Sequence, residues 1–70
     1  MRLSSEGLDD SLLNSGRGLM EECGEEFDMS TSDFVDFLFS SVTELQWNAA
    51  GLTTHDARIA RCEKIAQRIL

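Results

Sequence analysis

Residues 30–51 read STSDFVDFLFSSVTELQWNAAG and hold three of the chain's four phenylalanines and its only tryptophan. The stretch reads as one central helix. Ser30 is placed to accept a hydrogen bond from an otherwise unpaired first-turn amide, and Asp33 stands three residues on, as in a capping box. Met29 and Phe34 have the spacing of a hydrophobic staple across that cap. At about 100° per residue, Phe34, Leu38, Val42, Leu45 and Ala49 fall on one face, flanked by Val35 and Phe39. That face is expected to be core. Gly51, followed by Leu52, is expected to end the helix in the left-handed conformation that glycine adopts without steric penalty.

Phe37 and Trp47 project from the other side of such a helix, among Asp33, Asp36, Ser40, Thr43 and Glu44. Two readings follow. Either a neighbouring segment covers the two aromatics, or they form a partner-binding surface with Phe39 at its edge and Asp33, Asp36 and Glu44 as its rim, since interface centres favour aromatics.

Working outward, Leu8 and Leu12 share a face, and Ser4 or Ser5 is available as a cap, so a short helix is expected over 5–14. The run NSGRG then favours a loop at 14–18, because glycine costs about 1 kcal/mol relative to alanine inside a helix. A rival reading keeps the helix continuous. Leu8, Leu12, Gly16, Leu19, Cys23 and Phe27 would then form one stripe, with Gly16 as a point of close helix approach. In the preferred reading a second helix spans 18–27 and turns Glu21, Glu22, Glu25 and Glu26 outward as a negative ridge. Beyond Gly51, Thr53 and Asp56 form a second capping pair ahead of a helix over 54–69. Its apolar side carries Ile59, Cys62, Ile65, Ala66, Ile69 and Leu70; Arg61, Lys64 and Arg68 lie opposite, Arg58 sits at the boundary, and His55 lies in the first turn.

The fold class expected is therefore all-α, a small three- to four-helix bundle forming a single acidic domain over 1–70. The chain has 70 residues and no proline. So short a chain buries too small a fraction of its surface to have much stability margin, and completion by a dimer or a partner protein is expected. The net charge of −7 is unevenly distributed. Residues 1–51 carry eleven acids and two bases, whereas residues 52–70 carry two acids and four bases. Acidity on this scale favours basic partner surfaces over phosphate backbones.

Cys23 and Cys62 are far apart, without a CxxC and with His55 as the lone histidine, so neither a metal site nor any other cofactor is expected. The two thiols read as small apolar side chains. The opening MRLSSEGLDD lacks the apolar run of a secretory signal, and no stretch has the length to cross a bilayer; the expectation is a cytoplasmic protein with no membrane role. The paired glutamates lack the cleft and separated pKa values that acid–base catalysis needs, so no enzyme and no small-molecule substrate are expected.

Two short resemblances bear on function. Residues 49–61, AAGLTTHDARIAR, resemble the turn and second helix of a helix-turn-helix, although Gln46 and Trp47 stand where that family has apolar and small residues. The resemblance implies nucleic-acid binding through Arg58, Arg61, Lys64 and Arg68. Asp10-Ser11-Leu12 and Glu25-Glu26-Phe27-Asp28 are similar to acyl carrier proteins, which would imply phosphopantetheine on Ser11. The leading expectation is a small regulatory protein that binds and occludes a protein partner, as an inhibitor, anti-activator, antitoxin-like factor or chaperone does.

Overall fold

A computed structural model describes residues 5–70; Ser4, one of the two expected caps, lies outside the described residues, and of Ser5 and Glu6 only the backbone is described. Four α-helices and one 3-10 turn follow one another, with no strand among the described residues: α1 Ser5–Cys23, the turn Gly24–Glu26, α2 Thr31–Ser40, α3 Glu44–Ala49 and α4 His55–Ile69. Helix α4 packs on both α2 and α1, and α1 packs on α2. The core is drawn from all four helices: Leu8, Leu12 and Leu13 from α1, Phe34, Val35 and Leu38 from α2, Trp47 from α3, and Cys62, Ile65 and Ala66 from α4. Val42 joins it from the α2–α3 link.

The expected break at 14–18 does not occur, and the rival reading is the one the structure adopts. Helix α1 runs through both glycines to Cys23. Gly16 is the reason. Its Cα lies so close to α2 and α4 that a Cβ there would come within 2.5 Å of Ile69 Cδ1 and 2.9 Å of Phe34 Cζ. The packing gained by this approach offsets the conformational cost of glycine in a helix. The helix also stops earlier than 27, where Gly24 takes φ of +60° and the chain tightens into the 3-10 turn.

The single central helix over 30–51 is corrected to two. Its start lies where expected, with Ser30 Oγ accepting from the Asp33 amide at 3.1 Å, but this is a single cap bond and not the box that Asp33 was expected to complete; Phe34 is in the core cluster and Met29 packs against it. It ends at Ser40, however, and Thr43 begins a new helix. Ser40, Ser41, Val42 and Thr43 are four consecutive residues from the weaker half of the helix-propensity order, and Thr43-Glu44-Leu45-Gln46 is itself a capping-box sequence. Both halves of that box are made: the Gln46 amide donates to Thr43 Oγ1 at 3.2 Å, and the Thr43 amide donates to Gln46 Oε1 at 2.9 Å. Thr43→Ala is expected to cost about 1 kcal/mol, read as a lowered urea midpoint with an unchanged slope.

The break re-aims everything after it. Leu45, expected in the core, is 79 % exposed, Ala49 is exposed, and Trp47 is 1 % exposed. The exchange is favourable because a tryptophan buries about 150–250 Å², worth about 4–6 kcal/mol, against about 1.5–3 kcal/mol for a leucine. Gly51, with φ of +82°, then closes α3 as expected, its amide donating to Asn48 O while that of Leu52 donates to Trp47 O, both at 3.0 Å. These are the two bonds of a Schellman motif. The last helix is capped one residue later than expected, by Thr54, whose Oγ1 accepts from the Ala57 amide at 3.2 Å. Cys62, Ile65 and Ala66 face inward as expected, Ile59 and Ile69 are half-buried, and Leu70 is 53 % exposed.

Candidate functional site

The aromatic surface expected around Phe37, Phe39 and Trp47 does not assemble on the outside of the fold. Trp47 is core, so its exposed position is corrected in favour of the covering segment. Phe39 is part of the cover, with ring centroids 5.6 Å from Trp47 and 5.4 Å from His55. Phe37 lies two residues from Phe39, about 200° around the helix, and so on the opposite flank of α2. There it stacks on Phe34 at 6.4 Å, and Phe34 in turn meets Phe27 edge to face at 5.8 Å. Asp33, Asp36 and Glu44 are exposed, but they rim no common aromatic centre.

The basic stripe expected on α4 is divided by its own fold. Arg58 lies over the Trp47 ring at 5.8 Å, its Nε donates to Leu52 O at 2.8 Å and its Nη2 to Asn48 Oδ1 at 3.1 Å. One guanidinium thereby ties α3 and its following loop to α4. Arg61 pairs with Asp9 of α1 at 2.7 Å, both side chains less than a quarter exposed. Lys64 and Arg68 remain exposed, as does Arg17 on α1. Two cations on one helix make a poor phosphate-binding surface, and the inward face of α4 is already taken up by α1 and α2. Ser11 is exposed in the interior of α1 rather than at a helix start.

The acids are the opposite case. Glu21, Glu22, Glu25, Glu26, Asp28 and Asp33 are all exposed, and among the described residues the only ion pair is Asp9 with Arg61. No group of three or more His, Cys, Asp or Glu side chains among the described residues converges closely enough to hold a metal ion. Nor is any helix among them long and apolar enough to cross a membrane.

Among the described residues, three open depressions bear on the reading. One, of about 340 Å³, lies where α1 gives way to α2 and is lined by Cys23, Glu26, Phe27, Asp28, Met29 and Asp33. A second, of about 350 Å³, runs between α2 and α4 over Val35 and Ile59, edged by Asp36 and Glu63. The third, of about 480 Å³, follows α4 from His55 to Gln67 and shares Ile59 and Glu63 with the second.

Compared with protein-family models, with curated proteins and with solved structures, the chain matches none.

The two cysteines differ in the way their positions dictate. Cys23 is half-buried at the end of α1, whereas Cys62 is 0 % exposed, and burial, with Glu63 as the lesser cause, pushes its thiol from 9.0 up to about 11. Between those pH values the unfolded chain releases this proton and the folded chain keeps it. The unfolded state then binds fewer protons, so the contribution of Cys62 is complete below pH 9 and is lost as pH rises towards 11. Two pH units correspond to about 2–3 kcal/mol. Urea unfolding at stepped alkaline pH should show this extra loss in the wild-type chain and not in Cys62→Ala.

Proposed function

We propose that this chain is a small non-enzymatic protein that acts in the cytoplasm by binding and occluding a basic protein partner, in the manner of an inhibitor, anti-activator, antitoxin-like factor or chaperone. The observation that carries the reading is the disposition of charge. Glu21, Glu22, Glu25, Glu26, Asp28 and Asp33, from the end of α1 to the start of α2, stand exposed and outside any ion pair, while two of the four C-terminal cations are spent inside the fold. Such a surface attracts and orients a basic protein and repels nucleic acid.

The helices form a small bundle around one core, and Trp47 is covered within a single chain, so its ring is not a surface that a second copy would cover. Leu45 and Leu70 are the large apolar side chains that stand exposed among the described residues, and a partner could cover them. The partner proposed is a different protein; a dimer at about 100 μM in sedimentation would instead assign that surface to a second copy. Affinity purification of the tagged chain from its native source tests the reading. A basic protein that co-elutes and is released by salt is the expected result. Recovery of DNA alone, or a chain carrying phosphopantetheine on Ser11, would overturn it.

A further inference from the structure

Residues 41–43 divide two helices that share one apolar stripe. Phe34, Leu38, Val42, Leu45 and Ala49 follow one another at intervals of four, four, three and four, so a continuous helix carries them all on one face. In the folded chain the first three are buried, whereas Leu45 is 79 % exposed and Ala49 is exposed. The interruption is small. Ser41 keeps helical angles, φ of −77° and ψ of −8°, and its amide donates to Phe37 O at 3.1 Å; α3 resumes with the Trp47 amide donating to Thr43 O at 3.0 Å. Only Val42 and Thr43 lie between, and Thr43 is extended, with ψ of 159°. No proline or glycine stands between Thr31 and Ala50, so turning these two residues to helical angles completes the i→i−4 ladder that the Thr43 capping box replaces.

Beyond that hinge the chain is a separable piece. Arg58 ties α3 and the following loop to α4 through the Trp47 ring, Leu52 O and Asn48 Oδ1, all within residues 44–70. The piece is seated on α1 and α2 by the inward side of α4, by Trp47 against Phe39 and by Arg61 paired with Asp9. Its charges fit the seat, since residues 44–70 hold three acids and four bases and residues 1–43 ten acids and two bases.

We propose that α2 and α3 join into one helix and that residues 44–70 then seat on α1 and α2 of a second copy, giving a reciprocally exchanged dimer. The occupant is a second copy because the seat is already complementary to this segment, and the contacts across the seam are remade between chains rather than added. The straightened helices of the two chains meet at the two-fold axis, where Leu45 and Ala49 gain cover. Within one chain the short hinge presents the segment to its own seat at an effective concentration of about millimolar. With a hinge balanced between its two forms, exchange takes over only near that protein concentration, so the wild-type chain is a monomer at about 100 μM. Glu21, Glu22, Glu25 and Glu26 lie exposed outside the seam, and the exchange stands independently of the partner-binding reading.

The test is charge complementation between two full-length variants. Arg61→Asp sets two carboxylates against each other in the monomer, and Asp9→Arg sets two guanidiniums. In an exchanged pair of the two variants, the remaining Asp9 meets the remaining Arg61 and the two introduced charges meet each other, so both repulsions become attractions. The equimolar mixture, unfolded together in urea and refolded, is expected to dimerise at least about thirtyfold more tightly in sedimentation than either variant alone, and to melt higher than both. A second pair keeps the native ion pair and does not depend on whether the reversed chains fold alone. Thr43→Ala and Thr43→Gly both remove the cap hydroxyl, but alanine favours the continuous helix and glycine the cap. With two hinges in each dimer, Thr43→Ala should associate at least about a hundredfold more tightly than Thr43→Gly. A mixture that associates no more than its separate components, or equal association of the two hinge variants, would overturn the exchange.

Discussion

Gly16→Leu is expected to destabilise the chain by about 3 kcal/mol or more, while Gly18→Ala, two residues along the same helix, is expected to stabilise it by about 0.5–1 kcal/mol. The two glycines look alike in sequence. In the structure, a Cβ on Gly16 would meet Ile69 Cδ1 at 2.5 Å, Phe34 Cζ at 2.9 Å and Leu38 Cδ2 at 3.4 Å, whereas a Cβ on Gly18 meets nothing within 4 Å. Ile69 ends on a flexible methyl that can turn away, but the Phe34 ring is fully buried and held by Phe27 and Phe37. A leucine at 16 therefore has to separate α1 from α2 and α4. At position 18 the side chain enters solvent, and alanine only removes the backbone freedom that glycine has when unfolded. For a chain of this size the pair should differ in melting temperature by more than about 10 °C. Equal and small effects would mean that α1 is not seated on the other helices.

Trp47→Ala is expected to cost about 3–5 kcal/mol. Trp47 is the only residue of α3 that is fully buried, and the Schellman turn and the Arg58 stack are both built around it. Its loss should release α3 while the α1–α2–α4 packing survives at reduced stability. Amide exchange would show this as early loss of protection at Gln46 to Ala50 ahead of α4. The indole Nε1 is the one buried side-chain polar atom among the described residues that has no hydrogen-bond partner, and burying such a donor costs about 1–3 kcal/mol. Trp47→Phe recovers that cost while losing part of the ring, so it should destabilise by less than half as much as Trp47→Ala. Urea unfolding followed by circular dichroism reads both variants.

Much of the fold was legible from local chemistry. Ser30 as a cap, Gly51 as a stop, the apolar side of α4 and the inward placing of Met29 and Phe34 on either side of the cap each follow from residue types at fixed spacing. What was not legible depended on tertiary competition. The periodic face running through Leu45 to Ala49 is genuine as a pattern, but it lost to the burial of Trp47, and the signal that permits the break was the Thr43 to Gln46 capping box within the same stretch. The continuity of α1 was present as a stripe through Gly16, and it was outweighed by the intrinsic cost of two glycines because the helices that close on Gly16 are remote in sequence. The depression where α1 gives way to α2 was legible only in part. The acidic ridge and Asp33 are legible in the sequence, but Gly24 as the end of α1, which brings Cys23, Phe27 and Met29 together beneath Glu26, Asp28 and Asp33, carries no local signal that separates it from Gly16 and Gly18, through which α1 runs.

For function, the proposal turns on exposed carboxylates rather than on the aromatics or the basic helix, and these respond differently to salt. Calorimetric affinity for the co-purified protein partner, measured at about 50 and about 200 mM salt, tests this most directly. The dissociation constant should rise about tenfold over that range and about tenfold again in the Glu26→Gln/Asp28→Asn variant at low salt, with Lys64→Ala/Arg68→Ala binding as well as the wild type or better. An affinity indifferent to salt and to the acidic variant, and abolished by Lys64→Ala/Arg68→Ala, would contradict it.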